Sequence, residues 1–320
     1  MVERDLSDAA LKLFKGATTI KCVCHRNPDG DAIGSITALA QLLENNLPGT
    51  PVELYCVDPA PPVFSFLPFV HRIRQDLAPK DGDVFVFVDS AEPKLTEYHE
   101  QLPQIFGGAW PSVCIDHHPT NTKYATVNIV VPDASSTCEI LVELADAWKF
   151  AITPDVATSL LNGVYTDTGG LVHSNTSSRV YRTVSRLLKS GARQQAIVKN
   201  VFRTAKLSTL RLWGRVLEKI SVTEEGGAIS ALTEGDFVAT GAEYSELTGA
   251  IDYVNAVPGM KFSLVLAERA GKVKGSLRTL RDDVDVSKMA ANFQGGGHKK
   301  AAGFAVDGKL VPEVRWKVQK

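Results

Sequence analysis

The chain has 320 residues, of which 44% are hydrophobic and 22% charged, and its formal net charge is -1. This length predicts two domains, and the composition is that of an ordinary globular protein. The near-neutral charge excludes a broadly basic surface that coats nucleic acid, but it allows a small basic pocket for a short anionic ligand. Five scattered cysteines predict buried free thiols, and no apolar run is long enough to span a bilayer, so we expect a cytoplasmic protein.

The first third of the chain alternates between helical and strand patterns. Apolar residues recur with helical spacing over 5–15 and 32–45. Short apolar runs predict strands over 18–24, 52–57, 83–89 and 112–116. This alternation predicts an α/β fold in which a parallel sheet carries helices on both faces.

Acidic and imidazole side chains follow three of these predicted strands. In chain order they are His25, Asp29, Asp31, Asp89, Asp116, His117 and His118. In an open α/β sheet, ligands lie outside the carboxyl ends of the strands, so we expect these side chains to meet at one edge. Carboxylates crowded there are costly unless a cation lies among them. Taken singly, each residue has a simpler interpretation, such as a solvated Asp-Gly-Asp turn or Asp89 as a helix cap.

Helical patterns dominate the middle of the chain, and a mixture of short strands and helices follows. Helices are predicted over 135–148, 154–165, 177–189, 193–200 and 206–220, and Asp167 adds a fifth carboxylate beside a glycine turn. Beyond 221, strands are predicted over 228–232, 261–268, 272–277 and 302–306, with helices over 243–255 and 285–293. We therefore predict a catalytic domain over 1–185, a helical linker over 186–220, and a smaller mixed-sheet α/β domain over 221–320.

The clustered residue types indicate a divalent metal site. Mn²⁺ and Mg²⁺ favour carboxylates, water and some imidazole. One ion could not use five carboxylates and three histidines, whereas two ions sharing one carboxylate could. Two such ions clamp the oxygens of a phosphoryl group and activate water, so the expected reaction is hydrolysis of a phosphate ester or anhydride.

With these residues, the chain resembles the DHH phosphoesterase family. Residues 25–32, beginning His25 and containing Pro-Asp-Gly-Asp, resemble its first motif, and residues 87–90 resemble its second. Residues 116–118, Asp-His-His, resemble the motif that names the family, and residues 166–169 resemble the fourth. Residues 295–303 resemble the glycine-rich motif of the associated C-terminal domain, DHHA1. The resemblance covers nearly the whole chain.

This resemblance implies a role for each residue of the cluster. One Mn²⁺ would be held by His25, Asp29 and Asp89. The other would be held by Asp31, Asp89, His117 and Asp167, with Asp89 bridging the two. His118 would face the substrate phosphate, and Asp116 would orient a neighbouring imidazole. Mg²⁺ and Co²⁺ remain alternatives to Mn²⁺ as the two divalent ions.

The C-terminal motif is expected to bind the substrate. The expected residues are Arg278, Gly295, Gly296, Gly297, His298 and Lys299. Glycines expose backbone N–H groups to a phosphate, and an arginine can contact one with two nitrogens. The simpler interpretations are a glycine turn before a strand and a surface arginine. A substrate lying between the two domains would be limited in length, which favours short nucleotides.

Within the family, a chain of this kind resembles the nanoRNase/pAp phosphatase type. The resemblance implies an enzyme that cleaves very short RNAs, such as pApA, to mononucleotides and converts 3′-phosphoadenosine 5′-phosphate (pAp) to AMP. A phosphodiesterase for cyclic dinucleotides such as c-di-AMP is the alternative within the family, and a non-catalytic nucleotide-binding protein is the alternative outside enzymes. The expected partner is a short RNA or nucleotide, without long nucleic acid or membrane, and a homodimer is the default assembly.

Overall fold

The structure is a computed structural model that describes residues 2–312. The chain divides into two compact units, Met1–Thr204 and Ala205–Lys320. The boundary between them falls inside the segment predicted as a helical linker, 186–220. Within the described residues, no helix is long and apolar enough to cross a bilayer.

The first unit is an α/β domain. Its helices are α1 (Arg4–Gly16), α2 (Gly30–Asn46), α3 (Tyr98–Gln101), α4 (Thr137–Trp148), α5 (Pro154–Asp167), α6 (Ser178–Lys189) and α7 (Gln194–Ile197). Its strands are β1 (Thr19–Val23), β2 (Val52–Tyr55), β3 (Ile73–Arg74), β4 (Asp83–Val88), β5 (Ser112–Asp116) and β6 (Val127–Val130). The six strands pair in the order β3-β2-β1-β4-β5-β6, and every pair is parallel, as the sequence predicts.

Both faces of this parallel sheet are buried. On one face, alternate strand residues such as Cys22 and Val86 pack with the apolar residues of α1, α2, α4 and α5. On the other face, Phe85 and Phe87 of β4 pack with Tyr98 of α3 and with Ile105. Burial on both sides explains why the strands read as continuous apolar runs. All five cysteines of the chain are buried and form no disulfide, as the sequence predicts.

The second unit is a smaller mixed α/β domain. Its helices are α8 (Leu207–Glu218), α9 (Glu234–Thr240), α10 (Ala250–Val254) and α11 (Val286–Ala291). Its strands are β7 (Ser221–Val222), β8 (Gly227–Leu232), β9 (Phe262–Arg269), β10 (Lys272–Arg278), β11 (Gly296–His298) and β12 (Ala301–Asp307). The strands pair in the order β11-β12-β10-β9-β8-β7. Strands β8 and β9 are parallel and the other pairs antiparallel, which makes the sheet mixed.

The structure corrects two of the predicted helices. The segment 243–255 is not one helix, because Gly249 takes a left-handed φ of 91° between a 3-10 turn at Tyr244–Leu247 and α10. The segment 193–200 begins as α7 and continues as a π-helical turn at Val198–Phe202. Strands β3, β6, β7 and β11 and helices α3 and α9 were not predicted, and five of these six elements have only two to four residues.

Candidate metal centre

The side chains predicted to lie at strand ends meet at the carboxyl edge of the first sheet. Strand β1 leads into His25 and then into the N-terminus of α2, where Asp29 and Asp31 lie. Asp89 directly follows β4, and Asp116 ends β5. Asp167, the last residue of α5, joins the same cluster. Parallel topology therefore collects at one edge groups that are far apart in the chain.

Three of these residues form the first donor group. The Nε2 atom of His25 lies 3.6 Å from Oδ2 of Asp89 and 3.9 Å from Oδ1 of Asp29. Asp29 is also the N-cap of α2, where its Oδ1 accepts hydrogen bonds from the N–H groups of Asp31 and Ala32, both at 3.0 Å. The cap fixes this carboxylate before any ion binds.

A second donor group contains Asp31, His117 and Asp167, whose ligand atoms all lie within 4.8 Å of one another. The Nε2 atom of His117 is 3.3 Å from Oδ2 of Asp167. Asp31 is fully buried and accepts hydrogen bonds from two backbone N–H groups, those of Thr137 at 2.6 Å and Cys138 at 3.0 Å. These N–H groups belong to the first turn of α4, so a helix N-terminus neutralises part of the Asp31 charge.

Asp89 lies at the centre of the cluster. Its side chain is 2% exposed, and its backbone has a left-handed φ of 54°. While Oδ2 faces His25, Oδ1 lies 3.6 Å from Nε2 of His117 and 3.6 Å from Nδ1 of His118. The two oxygens of one carboxylate therefore face different histidines, as a carboxylate shared by two cations would require.

His118 is oriented through a chain of hydrogen bonds. Its Nδ1 lies 2.8 Å from Oδ1 of the buried Asp116, and Asn121 donates to Oδ2 of Asp116 at 2.7 Å. Burial disfavours the charged form of His118, but the hydrogen bond to Asp116 and the negative charges of Asp89, Asp116 and Asp31 together raise its pKa to about 9. Because Nδ1 is engaged by Asp116, Nε2 is the ring atom left for a substrate.

The electrostatics of the cluster favour a cation. Burial, followed by repulsion from Asp89, raises the pKa of Asp31 well above its ordinary value, and burial with repulsion from Asp31 does the same for Asp167. Burial opposes the charged form of His25, but Asp29 and Asp89 outweigh it and raise the pKa of His25 to about 11. All three pKa shifts show that these carboxylates need positive charge beside them.

The donor set fits a hard divalent metal. Three groups of carboxylate and imidazole atoms, each within 4.8 Å, could hold an ion: His25, Asp29 and Asp89; Asp31, His117 and Asp167; and Asp89, His117 and His118. These groups contain oxygen and imidazole nitrogen and no thiolate, which suits Mg²⁺ or Mn²⁺ better than a structural zinc. Every predicted metal ligand belongs to at least one of the groups.

In the second unit, the strand register places Arg278 and His298 side by side. Arg278 of β10 lies opposite Ala301 of β12, and His298 of β11 lies opposite the same alanine. Directly opposed residues share a face of an antiparallel pair. Arg278 and His298 therefore lie on the same face, on either side of Ala301, with their strands about 10 Å apart. Lys299 follows in the exposed turn between β11 and β12.

The predicted glycines have different surroundings. A Cβ atom at Gly295 would collide with the sheet at Phe304, and Gly297 has a φ of 140°. Both positions therefore require glycine for the packing of β11 against β12. No atom lies within 4 Å of a Cβ built at Gly296, so that glycine leaves its backbone open. The expected phosphate loop is thus a short edge strand rather than an irregular turn.

Sequence reasoning missed three residues that contact the cluster. The sequence pattern around Thr137 and Cys138 predicts only the start of a helix, and Asn121 lies in no motif. Thr137 contacts Asp31 and Asp89 over separations of 106 and 48 residues, so no local pattern marks it. The Ser-Thr run before α4 was the available signal, because it predicts a helix N-terminus that could face an anion.

Two family profiles match this chain in the order that the motifs indicated. The profile "DHH family, N-terminal domain" matches residues 19–164, and the profile "DHHA1 domain" matches residues 229–320. The chain belongs to the DHH family and carries a DHHA1 domain.

Individual relatives agree with this family. The bifunctional oligoribonuclease and PAP phosphatase NrnA of Thermus thermophilus is 32% identical over 306 residues, which cover 93% of this chain and 86% of NrnA. The cyclic-di-AMP phosphodiesterase PdeA of Listeria monocytogenes is 26% identical over 337 residues, covering 97% of this chain but 48% of PdeA. The crystal structure of an exopolyphosphatase-related protein from Bacteroides fragilis superimposes with a TM-score of 0.85 at 26% identity, covering 98% of this chain and 93% of that one.

Proposed function

We propose that this protein is a Mn²⁺-dependent phosphoesterase that cleaves short oligoribonucleotides to mononucleotides and converts pAp to AMP. The observation that carries the proposal is the cluster of carboxylates and imidazoles at the carboxyl edge of the parallel sheet. The substrate class comes from the likeness to the Thermus thermophilus oligoribonuclease and PAP phosphatase, which extends over 93% of this chain.

The proposed site would hold two ions that share Asp89. His25, Asp29 and Asp89 would hold one, and Asp31, Asp89, His117 and Asp167 would hold the other. The opposite directions of the two Asp89 oxygens support this division, since Oδ2 faces His25 and Oδ1 faces His117. Divalent ions held in this way supply Lewis acidity at the phosphoryl oxygens and activate water.

The protein's own groups position the substrate phosphate. Asp116 engages Nδ1 of His118, which leaves Nε2 to contact a phosphoryl oxygen. Asn121 fixes the other oxygen of Asp116, so the imidazole is held before the substrate arrives. Such preorganisation favours the transition state because the polar groups need not reorient during the reaction.

The second unit would recognise the rest of the nucleotide. Arg278 and His298 flank Ala301 on one face of the sheet, and Lys299 is exposed beside them. An arginine there suits a phosphate because its guanidinium can donate two parallel hydrogen bonds. We propose that these three residues, with the open backbone of Gly296, bind a phosphate of the substrate distant from the one that is cleaved.

A cyclic-dinucleotide phosphodiesterase is the second candidate function. The observation that favours it is the 26% identity with the Listeria monocytogenes PdeA over 97% of this chain. The same metal cluster would open a cyclic phosphodiester, so the two candidates differ in substrate and share the chemistry.

A competition assay separates these functions. The purified protein with Mn²⁺ receives pApA, a short RNA, pAp, c-di-AMP and pyrophosphate under identical conditions, and chromatography resolves the products. Release of AMP from pApA and pAp at the highest rates would support the proposal. Dominant opening of c-di-AMP would favour the second candidate, and no product from any substrate would favour a nucleotide-binding protein without catalysis.

A further inference from the structure

The first turn of α4 contacts two buried carboxylates of the metal cluster, Asp31 and Asp89. Asp31 accepts from the N–H groups of Thr137 and Cys138, at 2.6 and 3.0 Å. The hydroxyl of Thr137 donates to Oδ1 of Asp89 at 3.1 Å. One residue, Thr137, therefore contacts both Asp31, which comes from α2, and Asp89, which follows β4.

The Thr137 hydroxyl is not needed to begin the helix. Ser136 is the N-cap of α4 and accepts from the N–H of Glu139 at 3.1 Å, while the Glu139 carboxylate accepts from the N–H of Ser135 at 2.7 Å. Ser136 therefore supplies the N-cap of α4 without help from the Thr137 hydroxyl. Moreover, a threonine in the first turn has no preceding helical carbonyl to receive its hydroxyl proton. The donor of Thr137 is therefore available for Asp89.

The conformation of Asp89 depends on contacts from neighbouring residues. Its φ of 54° is uncommon for any residue other than glycine, and such backbone conformations persist where surrounding contacts enforce them. The side chain has no competing solvent contact, because it is 2% exposed. With Thr137 engaging one lone pair of Oδ1, rotation of the carboxylate is restricted, so Oδ1 stays toward His117 and Oδ2 toward His25.

We propose that Thr137 is a positioning residue that fixes the shared carboxylate of Asp89 and thereby sets the affinity of the cluster for its metal ions. The inference rests on the proposed function, since it takes the cluster to be a metal site. Loss of a hydrogen-bonding partner of a metal ligand typically lowers metal affinity about 10–100-fold. We expect a loss of this size when the hydroxyl is removed.

The test measures Mn²⁺ binding to the metal-free full chain by calorimetric titration, with Thr137→Val and Thr137→Ser as the paired variants. Valine keeps the shape of threonine without the donor, whereas serine keeps the donor. Thr37→Val is the matched control, because Thr37 is also fully buried but donates to the backbone carbonyls of Ile33 and Gly34 within α2. We expect about 10–100-fold weaker Mn²⁺ binding for Thr137→Val, and wild-type binding for Thr137→Ser and Thr37→Val.

The outcomes separate this inference from the proposed function. If the wild-type chain binds no Mn²⁺, the proposed function fails first, independently of Thr137. If the wild type binds Mn²⁺ and Thr137→Val binds it equally well, the positioning role is overturned. Thermal unfolding of the metal-free variants serves as the check on folding, with Thr137→Ala as a second apolar variant. Failure of both apolar variants to fold would make Thr137 a stabilising residue and would also overturn the inference.

Discussion

Replacing Gly34 with alanine should destabilise the first unit, even though alanine normally favours a helix. Gly34 lies in α2, where that helix crosses α5. A Cβ atom at Gly34 would lie 2.6 Å from the backbone oxygen of Ser159, 3.0 Å from the nitrogen of Gly163 and 3.1 Å from Sγ of Cys138. The first two neighbours are backbone atoms of a buried helix, so they cannot move aside as a flexible side chain would.

The sign of the effect follows from two opposing magnitudes. In a helix interior, alanine stabilises the folded state by about 1 kcal/mol relative to glycine. Overpacking a close-packed core costs about 1–3 kcal/mol, and contact with rigid backbone favours the upper end of that range. The net loss should be about 1–2 kcal/mol, which lowers the melting temperature of a unit of this size by about 2–8 °C.

Gly214→Ala is the matched control for this prediction. Gly214 lies inside α8, its φ is not positive, and nothing lies within 4 Å of a Cβ built there. The same substitution should therefore stabilise the second unit by about 1 kcal/mol. Differential scanning calorimetry of both full-length variants measures the two shifts. A melting temperature of Gly34→Ala equal to or above that of the wild type would refute the close crossing of α2 and α5.

Three further predictions test the site by substitution. Asp89→Ala and His117→Ala should abolish turnover while circular dichroism shows a folded chain, and full activity in either variant would contradict the two-metal assignment. Arg278→Ala and His298→Ala should mainly raise KM in steady-state assays with pApA, because these residues bind substrate away from the reacting phosphate; an unchanged KM in both would remove them from the substrate site. Asn121→Ala should lower kcat about 10-fold or more with little change in KM, because it frees one oxygen of Asp116 and loosens His118; a wild-type kcat would show that Asn121 does not position this histidine.

The parallel sheet could be predicted because its strands are buried on both faces. The run over 83–89 is apolar except at its ends, and its short length and its valine and phenylalanine content identify a buried strand. The cluster of carboxylates and histidines could be predicted from topology, since His25, Asp89 and His117 follow within two residues the strands whose carboxyl ends share an edge. Local sequence was sufficient in both cases because each residue's role depended on its own strand.

Features that depend on distant parts of the chain could not be predicted in this way. The contact of Thr137 with Asp89 joins residues 48 apart, and the pattern around α4 shows only that a helix begins there. Strand β11 could not be predicted for another reason. Its glycines have no strand preference, and the pairing of β11 with β12 decides their conformation. The break at Gly249 was missed because apolar spacing continues on both sides of the left-handed residue.

The position of manganese in a crystal of the full chain tests the assignment of two metal ions to this cluster. Crystals soaked in Mn²⁺ and measured at the manganese absorption edge would show the ions by anomalous scattering. The two-metal assignment predicts two peaks that share Asp89, one beside His25 and Asp29 and the other beside Asp31, His117 and Asp167. A crystal that shows no peak at these residues, or whose peaks lie elsewhere in the chain, would contradict it.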